Sequence, residues 1–168
     1  MKFKLRPYQE EASKKAVEFF LDKKKNWNAL EVLPTASDKS LILADIAARL
    51  KDKVLVFSPT KEILEQNYKK YCSYGFDNAS IYSASFKSKE ISDVTFATIG
   101  SVKGHPELFT DFKYILIDEV HLVKPESGMY KEFLDKLKSK VIGLTATPFR
   151  LYSYQNYGSI LKFLTRSR

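Results

Sequence analysis

Tyr114-Ile115-Leu116-Ile117-Asp118-Glu119-Val120-His121 opens on four residues suited to a buried strand and closes on two adjacent carboxylates. The apolar run shows no polar alternation, the pattern of a parallel strand covered on both faces. The same design recurs along the chain. Val54-Leu55-Val56-Phe57 and Val141-Ile142-Gly143-Leu144 are near-continuous apolar runs, and Ala29-Leu30-Glu31-Val32-Leu33 is a further one, closed by Pro34. Shorter strands are predicted at 79–82 and 94–97. Between the runs, apolar residues recur at helical spacing. Tyr8, Ala12, Ala16 and Phe19 follow Pro7, which suits a first helical turn. Leu43, Ile46, Ala47 and Leu50 follow Lys39. Ile63, Leu64, Asn67, Tyr68 and Tyr71 mark a third helix with Gly75 as its stop, and Tyr130, Phe133, Leu134 and Leu137 a fourth. Strands alternating with helices predict an α/β fold, a parallel sheet with helices on both faces.

The bulk properties narrow the class. A chain of 168 residues, 44% of them hydrophobic, supports one domain with a sizeable core. Every apolar run is broken by charge, so no membrane span is expected. Met1 to Arg6 lacks the apolar centre of a secretory signal. Cys72 is the only cysteine, which excludes an internal disulfide and suits a reducing, cytoplasmic setting. Lys and Arg number 28 against 20 Asp and Glu, and the resulting +8 favours polyanionic partners.

Candidate chemistry lies just past the strands. Leu33-Pro34-Thr35-Ala36-Ser37-Asp38-Lys39-Ser40 joins a predicted strand to a predicted helix. A helix start offers free N–H groups and a positive dipole end to phosphates. A lysine there reaches the outer phosphates, and the adjacent hydroxyl can bind Mg²⁺. An ordinary capped helix would read the same way. Asp118 could hold Mg²⁺ through water and Glu119 could orient or deprotonate an attacking water. Taken alone, the pair reads more readily as an acidic helix start stabilised by the dipole. Gly143-Leu144-Thr145-Ala146-Thr147-Pro148-Phe149-Arg150 places two hydroxyls where they can bond a neighbouring acidic loop, or simply ends a strand in a turn.

Taken together, in this order and in one short α/β domain, the segments resemble the first RecA-like domain of superfamily 2 helicases, a P-loop NTPase fold. The nearest likeness is to the DExH-type restriction-motor and DNA-repair branch. Ala36 to Ser40 resembles motif I, Asp118 to His121 motif II, and Thr145-Ala146-Thr147 motif III. Leu5-Arg6-Pro7-Tyr8-Gln9 resembles the upstream glutamine motif that recognises adenine. Ser58-Pro59-Thr60-Lys61 and Thr98-Ile99-Gly100-Ser101 resemble motifs that grip the nucleic-acid backbone.

That likeness spans Leu5 to Arg150 and implies ATP and Mg²⁺ as cofactors. It assigns nucleotide binding to Arg6, Gln9, Thr35, Ala36, Ser37, Asp38, Lys39 and Ser40. Ser40 and Asp118 would hold the metal, and Asp118, Glu119 and Lys39 would carry catalysis. His121, Thr145, Ala146 and Thr147 would couple the nucleotide state to the track. Pro59, Thr60, Lys61, Thr98, Gly100 and Ser101 would contact nucleic acid, DNA in preference to RNA. Residues 1–150 would form this domain, and 151–168 a linker toward a second RecA-like domain on which hydrolysis depends. The chain would then be a fragment of a longer helicase or translocase.

Asp38 departs from the pattern, which has glycine where the backbone passes close to phosphate. A carboxylate about 4 Å from a phosphate charge costs on the order of 4 kcal/mol at an effective dielectric of 20. Weakened nucleotide binding is therefore expected, and the competing class is a nucleic-acid-binding module with a degenerate, non-functional nucleotide site.

Overall fold

A computed structural model of the chain describes residues 4–25, 28–33, 38–120 and 128–145. The expected helices and strands are present. The helices are α1 (Pro7–Leu21), α2 (Lys39–Leu50), α3 (Lys61–Cys72), the single turn α4 (Ile99–Val102) and α5 (Met129–Asp135). The strands are β1 (Ala29–Val32), β2 (Val54–Phe57), β3 (Ala79–Ser83), β4 (Ser88–Lys89), β5 (Val94–Ala97), β6 (Tyr114–Ile117) and β7 (Lys140–Thr145). Among the described residues they form one seven-stranded sheet ordered β1-β7-β6-β2-β5-β3-β4. All its pairings are parallel except β3 with β4. Sequence reading missed β4 and the 3₁₀ turns Ala84–Phe86 and Pro106–Phe109, which are too short to carry a period. It also extended α5 to Leu137, which lies buried two residues past the helix end.

Alternation along each strand divides the core between the two faces. Val54 and Val56 of β2 join Val94, Phe96, Leu116, Ile142 and Leu144 beneath α1, α2 and α3. Leu55 and Phe57 join Ile115, Ile117 and Val141 on the opposite face, under Val102, Phe109, Phe133 and Leu134. The apolar strand runs are thus explained by burial on both sides. Phe57 is fully buried and meets Tyr130 and Phe133 edge-on, at centroid distances of 5.3 and 5.7 Å. Phe57→Ala is expected to cost about 3–5 kcal/mol of stability, measured by urea unfolding. A cost within the scatter of surface substitutions would mean that this layer collapses to fill the void.

Two details orient the helices for function. Lys140, at the amino end of β7, donates to the carbonyls of Phe19 and Asp22 at 2.6 and 3.0 Å and sits 4.7 Å from the Phe19 ring centroid. This anchors the C-terminus of α1 at the amino edge of the sheet, while Glu10 in its first turn pairs with Arg49 of α2 at 3.8 Å. Gly75 ends the α3 segment at φ +95°, a left-handed conformation in which glycine carries no steric cost.

Candidate nucleotide site

Parallel pairing brings the carboxyl ends of β1, β7, β6, β2 and β5 to a single edge, where ligands collect in open α/β sheets. The hydrogen-bond ladders run one step past the strands. Leu33 donates to Thr145 at 2.9 Å, Asp118 to Phe57 at 2.9 Å, and Ser58 to Ala97 at 3.1 Å, all through backbone groups. These bonds fix the backbone of Leu33, Asp118 and Ser58, the first residues past β1, β6 and β2. Asp38, Lys39, Ser40, Asp118 and Glu119 line a cleft of about 220 Å³ together with Ile63 and Gln66 of α3. A larger depression of about 600 Å³, lined by Lys23, Lys25, Lys113 and Lys138, opens at the amino edge instead. Its buried polar groups are satisfied internally, and the chemistry belongs to the smaller cleft.

Lys39, the first residue of α2, reaches across to the β6 end. Its Nζ forms an ion pair with Glu119 and lies 4.0 Å from Asp118 Oδ1. Glu119 takes φ +51°, a left-handed turn that redirects the chain at the end of β6. Asp118 is buried, and burial holds its carboxyl above the usual range, opposed by the Asn67 hydrogen bond and by Lys39. Its Oδ1 is buried with no hydrogen bond among the described residues, while Oδ2 accepts from Asn67 at 3.0 Å. A buried carboxylate oxygen without a hydrogen bond among the described residues and a serine hydroxyl lining the same cleft are oxygen donors of the kind a hard divalent cation prefers. Asp118 and Ser40 therefore fit Mg²⁺.

Asp38 occupies the turn where glycine was expected, and it adopts a left-handed conformation, φ 56° and ψ 72°. Aspartate tolerates that region better than most residues. Its Oδ1 accepts from Leu41 N at 3.2 Å and so caps α2, and Oδ2 lies 3.5 Å from Lys70 Nζ of α3. The carboxylate thus satisfies the helix start that a phosphate would otherwise use, while Lys70 balances part of its charge.

The remaining residues divide clearly. Gln9 is buried and its Oε1 accepts from Arg6 N at 2.8 Å, fixing the first turn of α1, while Arg6 itself is exposed. Thr60 caps α3, accepting from Ile63 N at 3.2 Å, and Lys61 stands over the Phe86 ring, 5.4 Å from its centroid. Pro59 and Thr60 follow β2. Thr98 follows β5, sharing hydrogen bonds with Ser83 at 3.2 Å and Ser101 at 3.0 Å. A Cβ at Gly100 would meet nothing within 4 Å, so packing does not demand glycine there. Thr145 is fully buried at the end of β7. Thr35, Ala36, Ser37, His121, Ala146 and Thr147 lie outside the described residues, as does 151–168.

Sequence reading missed Asn67, Lys70, Ile63 and Gln66 as site residues. Asn67 left a trace: it is a polar residue on an otherwise apolar helix face, the informative kind of exception. Nothing local marked the others.

Comparison with known proteins gives the family and the fold. The sequence profile of the type III restriction enzyme res subunit matches residues 2–150. The DNA 3'-5' translocase XPB2 of Sulfurisphaera tokodaii is 30% identical over 152 residues, covering 89% of this chain and 32% of the translocase. The chain therefore spans about a third of that relative's length. Among solved structures, the UvsW helicase of bacteriophage T4 superposes with a TM-score of 0.73 at 21% identity, covering 97% of this chain and 58% of the helicase. The SWI2/SNF2 ATPase core of Sulfolobus solfataricus, determined with double-stranded DNA, gives 0.71 at 24% identity, over 98% of this chain and 36% of the other. The Pyrococcus furiosus Hef helicase domain gives 0.70 at 24%, over 95% and 36%. These similarities in structure concern the fold.

Proposed function

The chain belongs to the type III restriction enzyme res subunit family and has the fold of an N-terminal RecA-like domain of superfamily 2 helicases, and we propose that it is the ATP-binding half of a nucleic-acid motor. The observation that carries this reading is the convergence of Lys39, Ser40, Asp118 and Glu119 on one cleft from two strand ends. Residues 1–150 form the motor domain in this reading, and 151–168 lead toward a second RecA-like domain that completes catalysis.

Lys39 is placed to leave Glu119 for the β- and γ-phosphates of ATP. Ser40 and Asp118 hold magnesium, which supplies charge neutralisation at the phosphates. Glu119, released from the ion pair, orients and deprotonates the attacking water. Such chemistry depends on positioning and electrostatics more than on covalent steps. Arg6 and Gln9, which resemble the upstream glutamine motif, take the adenine side, with Thr35, Ala36, Ser37 and Asp38 along the phosphates. Thr145, with His121, Ala146 and Thr147, relays the nucleotide state. Pro59, Thr60, Lys61, Thr98, Gly100 and Ser101 hold the sugar-phosphate backbone without reading bases. DNA is preferred to RNA because XPB2 is a DNA translocase and the SWI2/SNF2 core was determined on DNA. The net charge of +8 supports such a partner. No described helix is long and apolar enough to cross a membrane, and none is needed for this role; the single cysteine suits the cytoplasm.

Calorimetric titration of Mg-ATP and Mg-ADP tests the reading, with Asp38→Gly alongside. The native chain is expected to bind, and Asp38→Gly to bind about 10- to 100-fold more tightly. An uncompensated carboxylate would cost nearly three decades, at about 1.4 kcal/mol per decade, and Lys70 already offsets part of that. Replacing the cap by glycine costs only a few tenths of a kcal/mol, so the folded state should survive it. Absence of binding by both proteins would reject the nucleotide site and favour a module that only holds nucleic acid.

A further inference from the structure

We propose that Asn67 is a positioning residue of the magnesium site, orienting Ser40 and Asp118 toward the metal and transmitting the occupancy of that site to α3. This rests on the functional reading above and deepens it. Asn67 is buried, and its amide joins groups from three separate segments. Its Oδ1 accepts from Ser40 Oγ at 2.7 Å, and its Nδ2 donates to Asp118 Oδ2 at 3.0 Å and to Ser58 Oγ at 3.1 Å. The partners lie 27, 51 and 9 residues away in sequence, so only the fold assembles them.

The polarity of these bonds is what a metal site requires. A carboxylate only accepts, so the group facing Asp118 must be the NH₂, and the carbonyl then faces Ser40. Ser40 spends its proton on that carbonyl, and its oxygen lone pairs stay available to a cation. Asp118 has one oxygen held by Asn67, leaving Oδ1 without a hydrogen bond among the described residues and 4.0 Å from Lys39 Nζ. A leucine of similar size at position 67 would satisfy the packing of α3 but none of these three groups. Partners standing behind a metal's ligands in this way fix their orientation and tune affinity.

The third bond extends the link. Ser58 directly precedes Pro59, Thr60 and Lys61, and Thr60 caps the same helix that carries Asn67. Any reorientation of Ser40 or Asp118 upon metal binding therefore acts on α3 and on the β2 end through one buried side chain.

The test is ADP binding measured by calorimetry in excess Mg²⁺ and in EDTA, for the native chain, Asn67→Ala and the near-isosteric Asn67→Asp. Both substitutions are expected to reduce the tightening that Mg²⁺ confers by about 10- to 100-fold, a larger loss than any they cause in EDTA. A role confined to packing would weaken both conditions alike. A second measurement needs no variant. In the native chain, the Asn67 side-chain amide resonances should shift with Mg-ADP and not with ADP in EDTA. Full Mg²⁺ dependence in folded variants, or an amide unmoved by Mg-ADP, would overturn the role of Asn67 while leaving the nucleotide site standing. A native chain that binds ADP under neither condition would reject the functional reading and this inference with it.

Discussion

Glu119→Gln in a protein carrying both motor domains is expected to lower ATP turnover by about 10²- to 10⁴-fold, the usual scale of a lost general base, while nucleotide binding holds or tightens. The reason lies in the ligand-free arrangement. Glu119 is ion-paired with Lys39, and the same lysine is the group best placed for the outer phosphates. Glutamine keeps the shape and removes the charge, so Lys39 is released from a competing partner while the water loses its base. Phosphate-release kinetics and nucleotide titration separate the two effects. Turnover that persists would remove Glu119 from the chemistry. Turnover and binding lost together would mean that the substitution disturbs the turn at φ +51° instead.

Glu31→Gln is expected to stabilise the fold by about 3 kcal/mol at pH 8 and to change little below about pH 4.5. Glu31 lies on β1, where burial raises its carboxyl from 4.5 to about 7, opposed by Lys15. Its Oε1 is buried without a hydrogen bond among the described residues. With a folded value above the unfolded one, the native state binds more protons through that window. Stability therefore falls as pH rises from about 4.5 to about 7 and is flat beyond it. Each pH unit of difference is worth about 1.4 kcal/mol, which sets the magnitude, an upper figure because buried carboxylates relax toward water. Glutamine cannot ionise and escapes the penalty. Urea unfolding at pH 4.5 and pH 8 checks this; a difference between the proteins that is the same at both would mean Glu31 stays hydrated.

Asp38 shows how far local reading reaches. Its sequence context identified a helix start, and Asp38 caps α2 there. Its left-handed backbone and its pairing with Lys70 could not be anticipated, because Lys70 belongs to a helix beyond the next strand. Glu31 is similar: within its strand it is one polar residue in an apolar run, and only the tertiary structure buries its Oε1 without a hydrogen bond among the described residues.

The strands β2 and β6 were legible to the residue because a strand buried on both faces leaves an unbroken apolar run. Pro7 and Gly75 mark helix ends through their own backbone chemistry, which needs no distant partner. The candidate residues Lys39, Ser40, Asp118 and Glu119 were legible for a related reason: parallel strands with helices between them put every strand end on one edge, whatever the strand order. The order itself, β1-β7-β6-β2-β5-β3-β4, was not legible, since parallel neighbours are joined by no local turn that would reveal them. Nor was the meeting of Ser40, Ser58 and Asp118 at Asn67. The amino-acid sequence by itself determined the alternation of elements and the chemistry at their ends, both set by short-range periodicity and residue type. Which of those ends touch, and which buried amide joins them, was decided by tertiary structure, because strand register and helix packing set distances between residues that local pattern leaves unrelated.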